Sequence, residues 1–106
     1  MPVIEANEKD FDNQIKTNLT FVDFNADWCG PCQILKPVIE ELAEDYESDS
    51  DVKILSVNID DSPELAERYS VSGIPCLILF RNGEEIDRSV GVAPKKAFVK
   101  LIEKNR

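Results

Sequence analysis

Apolar residues along the chain form short continuous runs and longer periodic stretches, which predict alternating strands and helices. Residues 19–25 form a run rich in β-branched and aromatic side chains, and residues 52–59 are apolar enough for a strand buried on both faces. Between these two runs, apolar residues recur at helical spacing and predict a long amphipathic helix. Its inner face is expected to hold Ile34, Leu35, Val38, Ile39, Leu42, Ala43 and Tyr46.

The start of the chain follows the same alternation of a strand and a helix. Val3 and Ile4 predict a short first strand. Asn7 is expected to cap a helix over residues 8–15, because its side-chain oxygen can accept a hydrogen bond from the unpaired amides of a first helical turn.

The end of the chain predicts a helix, a hairpin and a final helix. Ser62-Pro63 is expected to open the first helix with a cap and a preset backbone angle. Asn82-Gly83 favours a hairpin turn between strands at 76–80 and 85–90, and Pro94 begins the last helix. The residues expected to face inward on these two helices are Leu65, Ala66, Tyr69, Ala97, Phe98, Leu101 and Ile102.

The complete order of elements is strand, helix, strand, helix, strand, helix, strand, strand, helix. This order predicts an α/β sandwich with a mixed sheet and with helices on both of its faces. The chain has 106 residues and no linker or repeat, so we expect a single domain over residues 1–106. Nothing in the pattern indicates an oligomer, and we expect a monomer.

Charge and hydropathy narrow the classes of function. The 12 basic and 21 acidic residues give a net charge of −9, which disfavours nucleic acid because phosphates would repel this surface. No apolar run approaches the length of a membrane span, and residues 1–7 lack the basic start and apolar core of a signal peptide. We therefore expect a cytoplasmic protein that binds no membrane.

Two cysteines lie where the strand at 19–25 gives way to the long helix. In Trp28-Cys29-Gly30-Pro31-Cys32, Gly30 and Pro31 can form the turn that brings the sulfurs together. The first turn of a helix has unpaired amides and a partial positive charge, so a thiolate is favoured there. We expect Cys29 to be the exposed, attacking sulfur and Cys32 to be shielded and to react second.

Further segments carry a resemblance that extends over nearly the whole chain. With the cysteine motif, they follow the thioredoxin family in order and spacing. The resemblance implies a thioredoxin fold, a three-layer α/β/α sandwich with a central five-stranded mixed sheet and four helices. Its first three strands would be parallel and its final hairpin antiparallel. The segments are Val22-Asp23-Phe24, Pro37, Asn58-Ile59-Asp60, Gly73-Ile74-Pro75, Phe80-Arg81-Asn82-Gly83-Glu84 and Val90-Gly91.

The paired thiols and the resemblance together suggest a two-step exchange. Cys29 would attack a protein disulfide to give a mixed disulfide, and Cys32 would then attack Cys29 and release the reduced target. The resemblance implies protein disulfides as substrates and a separate thioredoxin reductase as the source of electrons. No nucleotide-binding signature and no histidine occur in the chain, so neither a cofactor nor a metal is expected.

Asp23 is the candidate base for Cys32. It lies in the middle of an apolar run, where burial would raise its pKa towards neutral pH and let it accept and return a proton. By resemblance it matches the buried aspartate of thioredoxins; the alternative is that strand alternation turns it to solvent. Ser56 stands where the family commonly has a lysine, and Asn25 where it commonly has an aromatic residue. Without that lysine, the pKa of Asp23 should be higher still.

Pro75 resembles the cis-proline that lies against the active-site pair in this fold. The resemblance also implies that backbone near Ile74 pairs with an extended segment of the target. Trp28, Gly73, Ile74 and Gly91 would provide a flat surface for that segment. The alternative is that the two glycines only allow the backbone to turn.

Cys76 follows Pro75, where thioredoxins usually have threonine. It is either a small buried hydrophobe or, if it lies near Cys29, a third redox partner or an oxidation-sensitive brake. Four other functions compete with disulfide reduction: a structural bridge, an oxidase or isomerase, a metal-binding module using Cys29, Cys32 and Cys76, and a scaffold subunit of another complex.

Overall fold

The computed structural model describes residues 3–106, and these form strands and helices in the predicted order. Met1 and Pro2 lie outside the described residues. They are the first residues of the predicted domain and of the segment that was compared with a signal peptide. The strands are β1 (Ile4–Glu5), β2 (Leu19–Asn25), β3 (Val52–Asn58), β4 (Cys76–Arg81) and β5 (Glu84–Val90). The helices are α1 (Phe11–Ile15), α2 (Gly30–Asp45), α3 (Pro63–Arg68) and α4 (Lys95–Lys104).

The sheet has the strand order β1-β3-β2-β4-β5. Strands β1 and β2 run parallel to β3, whereas β4 runs antiparallel to β2 and β5 antiparallel to β4. This is the mixed five-stranded sheet implied by the resemblance. Strand β2 is hydrogen-bonded on both edges and is buried along almost its whole length, so its end is a rigid place from which to start α2.

Two cores, one on each face of the sheet, complete the three layers. On one face, α2 and α4 pack on alternate residues of the central strands, as Leu35 and Phe98 do against Phe21. On the other face, α1 and α3 contribute Phe11 and Leu65 to a second cluster. The three-layer α/β/α prediction is therefore confirmed. Within residues 3–106, no helix combines the length and the apolar character needed to cross a bilayer.

The predicted start of the first helix is wrong by three residues. The helix begins at Phe11, and the Asn7 side chain accepts a hydrogen bond from the Lys9 amide at 2.8 Å in a turn that precedes it. The amide of Asn7 in turn donates to Asp10 Oδ1 at 2.8 Å. The local hydrogen bonds of Asn7 thus favour a turn over a longer helix.

The predicted side-chain cap of α3 is also wrong. Ser62 occupies the cap position, but its hydroxyl is buried and makes no hydrogen bond within the described residues. Glu8 takes over part of this role, because its carboxylate accepts a hydrogen bond from the Glu64 amide at 2.9 Å. A negative charge at a helix N-terminus is stabilising, and here it comes from a distant part of the chain.

The inner faces of α2 and α4 are narrower than predicted. Ile34 is 66% exposed, and Ala97 is exposed as well. Ile34 directly precedes the buried Leu35, and Ala97 directly precedes the buried Phe98. Neighbouring residues of a helix are separated by a rotation of about 100° around its axis. A single step is enough to turn a side chain from the sheet to solvent.

We expect Gly83→Ala to lower the free energy of unfolding by about 1 kcal/mol. The hairpin turn places Asn82 at φ 49° and Gly83 at φ 88°, a region that strains most L residues. Gly30→Ala is the matched control, because an added Cβ at Gly30 would meet no atom within 4 Å and Gly30 opens a helix. Urea unfolding of both variants measures the difference, and equal stabilities would contradict the prediction.

Candidate functional site

Cys29 and Cys32 form a disulfide at the N-terminus of α2. Cys29 is the cap residue, with extended backbone angles, and Cys32 lies in the first turn, so that their Cα atoms are 5.2 Å apart. The Cys32 amide donates a hydrogen bond to Cys29 Sγ at 3.2 Å. Pro31 fits here because the first turn requires no amide donor from it. The helix start therefore supplies an N–H group and a partial positive charge to one particular sulfur, that of Cys29.

The expected contrast in exposure between the two cysteines is wrong for this disulfide form. Cys29 is 5% exposed and Cys32 is 4% exposed. Both pack in a small cluster with Ala26, and Ile59 and Ile74 close over it. The main-chain oxygen of Ile74 lies 3.7 Å from Cys29 Sγ. The two sulfurs thus differ in their position relative to the helix rather than in their exposure.

The segment around Pro75 lies directly against the disulfide. The Ile74–Pro75 peptide bond is cis, and Pro75 is buried. Gly91, with φ 96°, donates its amide to the Pro75 carbonyl at 2.9 Å. A Cβ added to Gly73 would lie 3.3 Å from a methyl group of Val90. Gly73, Ile74 and Gly91 are therefore brought together, and both glycines meet local backbone or packing requirements.

Trp28 lies beside the motif with 69% of its surface exposed. Its indole Nε1 donates a hydrogen bond to Asp60 at 2.9 Å, which links the motif to the loop after β3. Ile34 is a surface residue that the sequence reasoning missed. It is one helical turn beyond the exposed Gly30, and this i to i+4 spacing could have placed it on the outer face. Val90 and Val92 are also exposed apolar residues near the segment that contains Gly91.

Asp23 is buried in the centre of the sheet, on the face covered by α2. It is 5% exposed, which rules out the alternative that it faces solvent, and its Oδ1 has no hydrogen-bond partner among residues 3–106. Burial raises the pKa of Asp23 to about 7, because the charged form is poorly solvated there. The side chain of Asn25 opposes this rise in pKa, and the negative charge of Glu5 adds to it.

A cleft of about 530 Å³ connects Asp23 with the surface. Cys32 lines the same cleft as Asp23, together with Asn25 and Ser56. The Asn25 amide donates to Ser56 Oγ at 2.8 Å and to the Asp23 carbonyl at 2.9 Å. Asn25 and Ser56, two positions at which the sequence departs from the thioredoxin pattern, thus lie beside the candidate base, and both carry neutral polar side chains.

Cys76 lies on the opposite face of the sheet from the disulfide. It is buried in the cluster of α1 and α3, where burial raises the pKa of its thiol, and Arg88 Nη1 is 4.0 Å from its sulfur. This placement favours the small-hydrophobe interpretation over that of a third redox partner. Nowhere in the described part of the chain do three or more potential ligands come together to hold a metal ion.

Comparisons with known proteins find relatives along nearly the whole chain. A family model described as Thioredoxin matches residues 2–104. The thioredoxin of Staphylococcus epidermidis is 41% identical over 105 residues, and that of Staphylococcus aureus is 40% identical over 105 residues. Each alignment covers 99% of both chains. The structure of a mutant thioredoxin from Halobacterium salinarum NRC-1 superposes with a TM-score of 0.84 at 36% identity, and covers 96% of this chain and 88% of its own.

We expect Asp23→Asn to remove a pH dependence of stability. A carboxyl whose pKa is about 7 when folded and 3.8 otherwise holds its proton more tightly in the folded state, so the free energy of unfolding falls as pH rises from about 4 to 7. The full effect is about 4 kcal/mol, at about 1.4 kcal/mol per unit of pKa. The variant should therefore be more stable than the parent at pH 8, and this difference in stability should be much smaller at pH 4.

Urea unfolding of the oxidised protein at several pH values measures this difference. Asp27→Asn is the matched control, because Asp27 lines the same cleft but is exposed. An Asp23→Asn protein that retained the pH slope of its parent would contradict the assigned pKa.

Proposed function

Because the chain belongs to the thioredoxin family, we propose that Cys29 and Cys32 are the redox-active pair with which it reduces protein disulfides. Thiol-disulfide oxidoreduction is the activity of the family. The observation that carries the proposal is the disulfide at the N-terminus of α2, with the Cys32 amide aimed at Cys29 Sγ. The product of the reaction would be this oxidised form.

In the first step, the Cys29 thiolate attacks one sulfur of the target disulfide. The target S–S bond breaks, a mixed disulfide with Cys29 forms, and the other target sulfur leaves as a thiolate that takes a proton. The Cys32 amide and the partial positive charge of α2 support the choice of Cys29, because both favour a thiolate at the cap position. Gly30 and Pro31 support this step by forming the turn that holds the sulfur at the helix start.

In the second step, the Cys32 thiol gives its proton to Asp23, and its sulfur attacks Cys29 Sγ. The mixed disulfide breaks, its target sulfur leaves as a thiolate that takes a proton from water, and the Cys29–Cys32 disulfide forms. A carboxyl group with a pKa of about 7 can accept a proton and return it near neutral pH. The cleft shared by Asp23 and Cys32 supports this transfer.

An extended segment of the target would bind across the surface formed by Trp28, Gly73, Ile74, Pro75 and Gly91. Main-chain pairing beside Ile74 would hold the segment in the manner of an added strand, with its disulfide above Cys29. Two features support this surface: the exposure of Trp28 and the contact of Ile74 with Cys29 Sγ.

The wider proposal is one thioredoxin domain over residues 1–106, acting as a cytoplasmic monomer. The match of the family model over residues 2–104 and the continuous sheet support the single domain. A free cysteine buried beneath the sheet suits a reducing compartment. A thioredoxin reductase would reduce the Cys29–Cys32 disulfide again, and this chain would itself need no cofactor. The net charge of −9 disfavours nucleic acid as a partner.

We expect Cys32→Ser to accumulate a covalent adduct with a disulfide-bonded protein. The variant can form the mixed disulfide through Cys29 but lacks the thiol that resolves it. Electrophoresis without reductant should show the adduct, and peptide mapping should locate it at Cys29. Cys29→Ser should give no adduct, and Cys76→Ser should turn over like the parent. An adduct at Cys76, or none with any substrate, would contradict the assignment.

The reduction potential of the Cys29–Cys32 couple should lie within or below the cytosolic glutathione range, roughly −220 to −320 mV. Such a potential is required of a donor of reducing equivalents. Equilibration in graded dithiol buffers, followed by the fluorescence of the adjacent Trp28 and by thiol alkylation, measures it. A clearly higher potential would identify an oxidase or isomerase instead.

A further inference from the structure

Three polar side chains stand side by side across the sheet, on the face covered by α2. Glu5 of β1 lies opposite Ser56 of β3, and Ser56 lies opposite Asp23 of β2. Residues directly opposite each other on neighbouring strands point to the same face of a sheet. All three line the cleft that also reaches Cys32, and Glu5 is exposed at its outer side. Ser56 therefore stands between the buried carboxyl group and the surface.

The hydroxyl of Ser56 is oriented by Asn25. One Asn25 amide group donates both to Ser56 Oγ and to the Asp23 carbonyl, which fixes the amide and occupies one lone pair of the serine oxygen. A serine hydroxyl has one proton and two lone pairs. Ser56 thus keeps a donor and an acceptor that can be used in opposite directions along the cleft.

Ser56 could supply, through water, the hydrogen-bond partner that the carboxyl group of Asp23 lacks within the described part of the chain. Its Oδ1 is buried and has no hydrogen-bond partner within residues 3–106, although buried polar atoms are almost always paired with protein or water. A cleft of about 530 Å³ has room for several waters. Water can therefore join Oδ1 of Asp23 to Ser56 Oγ on the neighbouring strand.

We propose that Ser56, held by Asn25, relays the proton of Asp23 to solvent through the cleft. This inference rests on the proposed role of Asp23 as the base for Cys32. Protonated Asp23 gives its proton to a cleft water, that water gives a proton to Ser56 Oγ, and the Ser56 hydroxyl gives its own proton to a water further out. One proton leaves Asp23, one reaches bulk water, and Ser56 is unchanged. The same proton transfers in the opposite order return a proton to Asp23 when Cys32 is reduced again.

The relay of the proton is a separate effect from the influence of nearby charges on the pKa of Asp23. The titratable or charged side chains that line the cleft with Asp23 come from β1, from α2 and from the loops at its rim. Replacing Ser56 by an uncharged residue alters none of these charges, so its effect on the rate reports the hydroxyl itself. These side chains are Glu5, Asp27, Cys32, Lys36, Glu40 and Asp61.

The test uses the full-length reduced protein and an excess of dithiobisnitrobenzoate, which releases a coloured thiolate at each of the two steps. Stopped-flow absorbance separates the attack of Cys29 from the resolution by Cys32. In dilute buffer near pH 7, Ser56→Val should slow the second release about tenfold, below the usual contribution of a positioned acid or base because water remains in the cleft. A high concentration of imidazole should restore the rate, and the first release should not change.

Ser56→Thr is the matched variant, because threonine has the shape of valine but keeps the hydroxyl, and it should resolve at the parental rate. Ser89→Ala controls for the loss of a hydroxyl on the same face. Ser89 lies two strands from Asp23 on the side away from Ser56, opposite Leu77, and its loss should change neither release.

Two results would overturn the relay. One is resolution by Ser56→Val at the parental rate. The other is slow resolution at every imidazole concentration, which would indicate a structural role only. Asp23→Asn separates this failure from that of the proposed base. If Asp23→Asn resolves like the parent, the base and the relay fail together. If it resolves slowly while Ser56→Val does not, the relay alone fails.

Discussion

The central position of β2 is the constraint on which the site depends. Because β3 and β4 pair with its two edges and helices cover both of its faces, the strand cannot shift to relieve an unfavourable side chain. Asp23 is therefore held in a buried position on the wall of the cleft, and burial raises the pKa of its carboxyl group to about 7. The same rigidity fixes the point at which the chain leaves the sheet and begins α2, so the thiols and the carboxyl group keep one relative position.

The elements that the sequence predicted well are those specified by local chemistry. The strand at 19–25 has the predicted bounds because β-branched and aromatic residues dominate it, and the Asn82-Gly83 turn forms because both residues tolerate positive φ. The positions of Cys29 and Cys32 at a strand-to-helix boundary follow from the same local signals. These signals were sufficient for the order of the elements and for the location of the disulfide.

The errors in the cap of α3 and in the exposure of Cys29 arose because distant residues decide the outcome. Glu8 serves the start of α3 in place of the Ser62 hydroxyl, and Ile74 covers Cys29, although neither contact leaves a local pattern. The cleft beside Asp23 was also beyond sequence reasoning, because it depends on how β1, β3 and α2 surround one side chain. The substitutions at Asn25 and Ser56 were visible in the sequence, but their shared hydrogen bond was not.

The placement of Cys76 has a consequence for how the chain can vary. The sheet acts as a partition, with the disulfide, Asp23 and the cleft on the α2 side and Cys76 within the aromatic core of α1 and α3. Ile59 packs against both this core and the disulfide, whereas Cys76 and the aromatic side chains of the core lie on the far side of the sheet from the cleft. Those core residues can therefore be exchanged for others of similar volume while the side chains around the disulfide and the cleft keep their contacts.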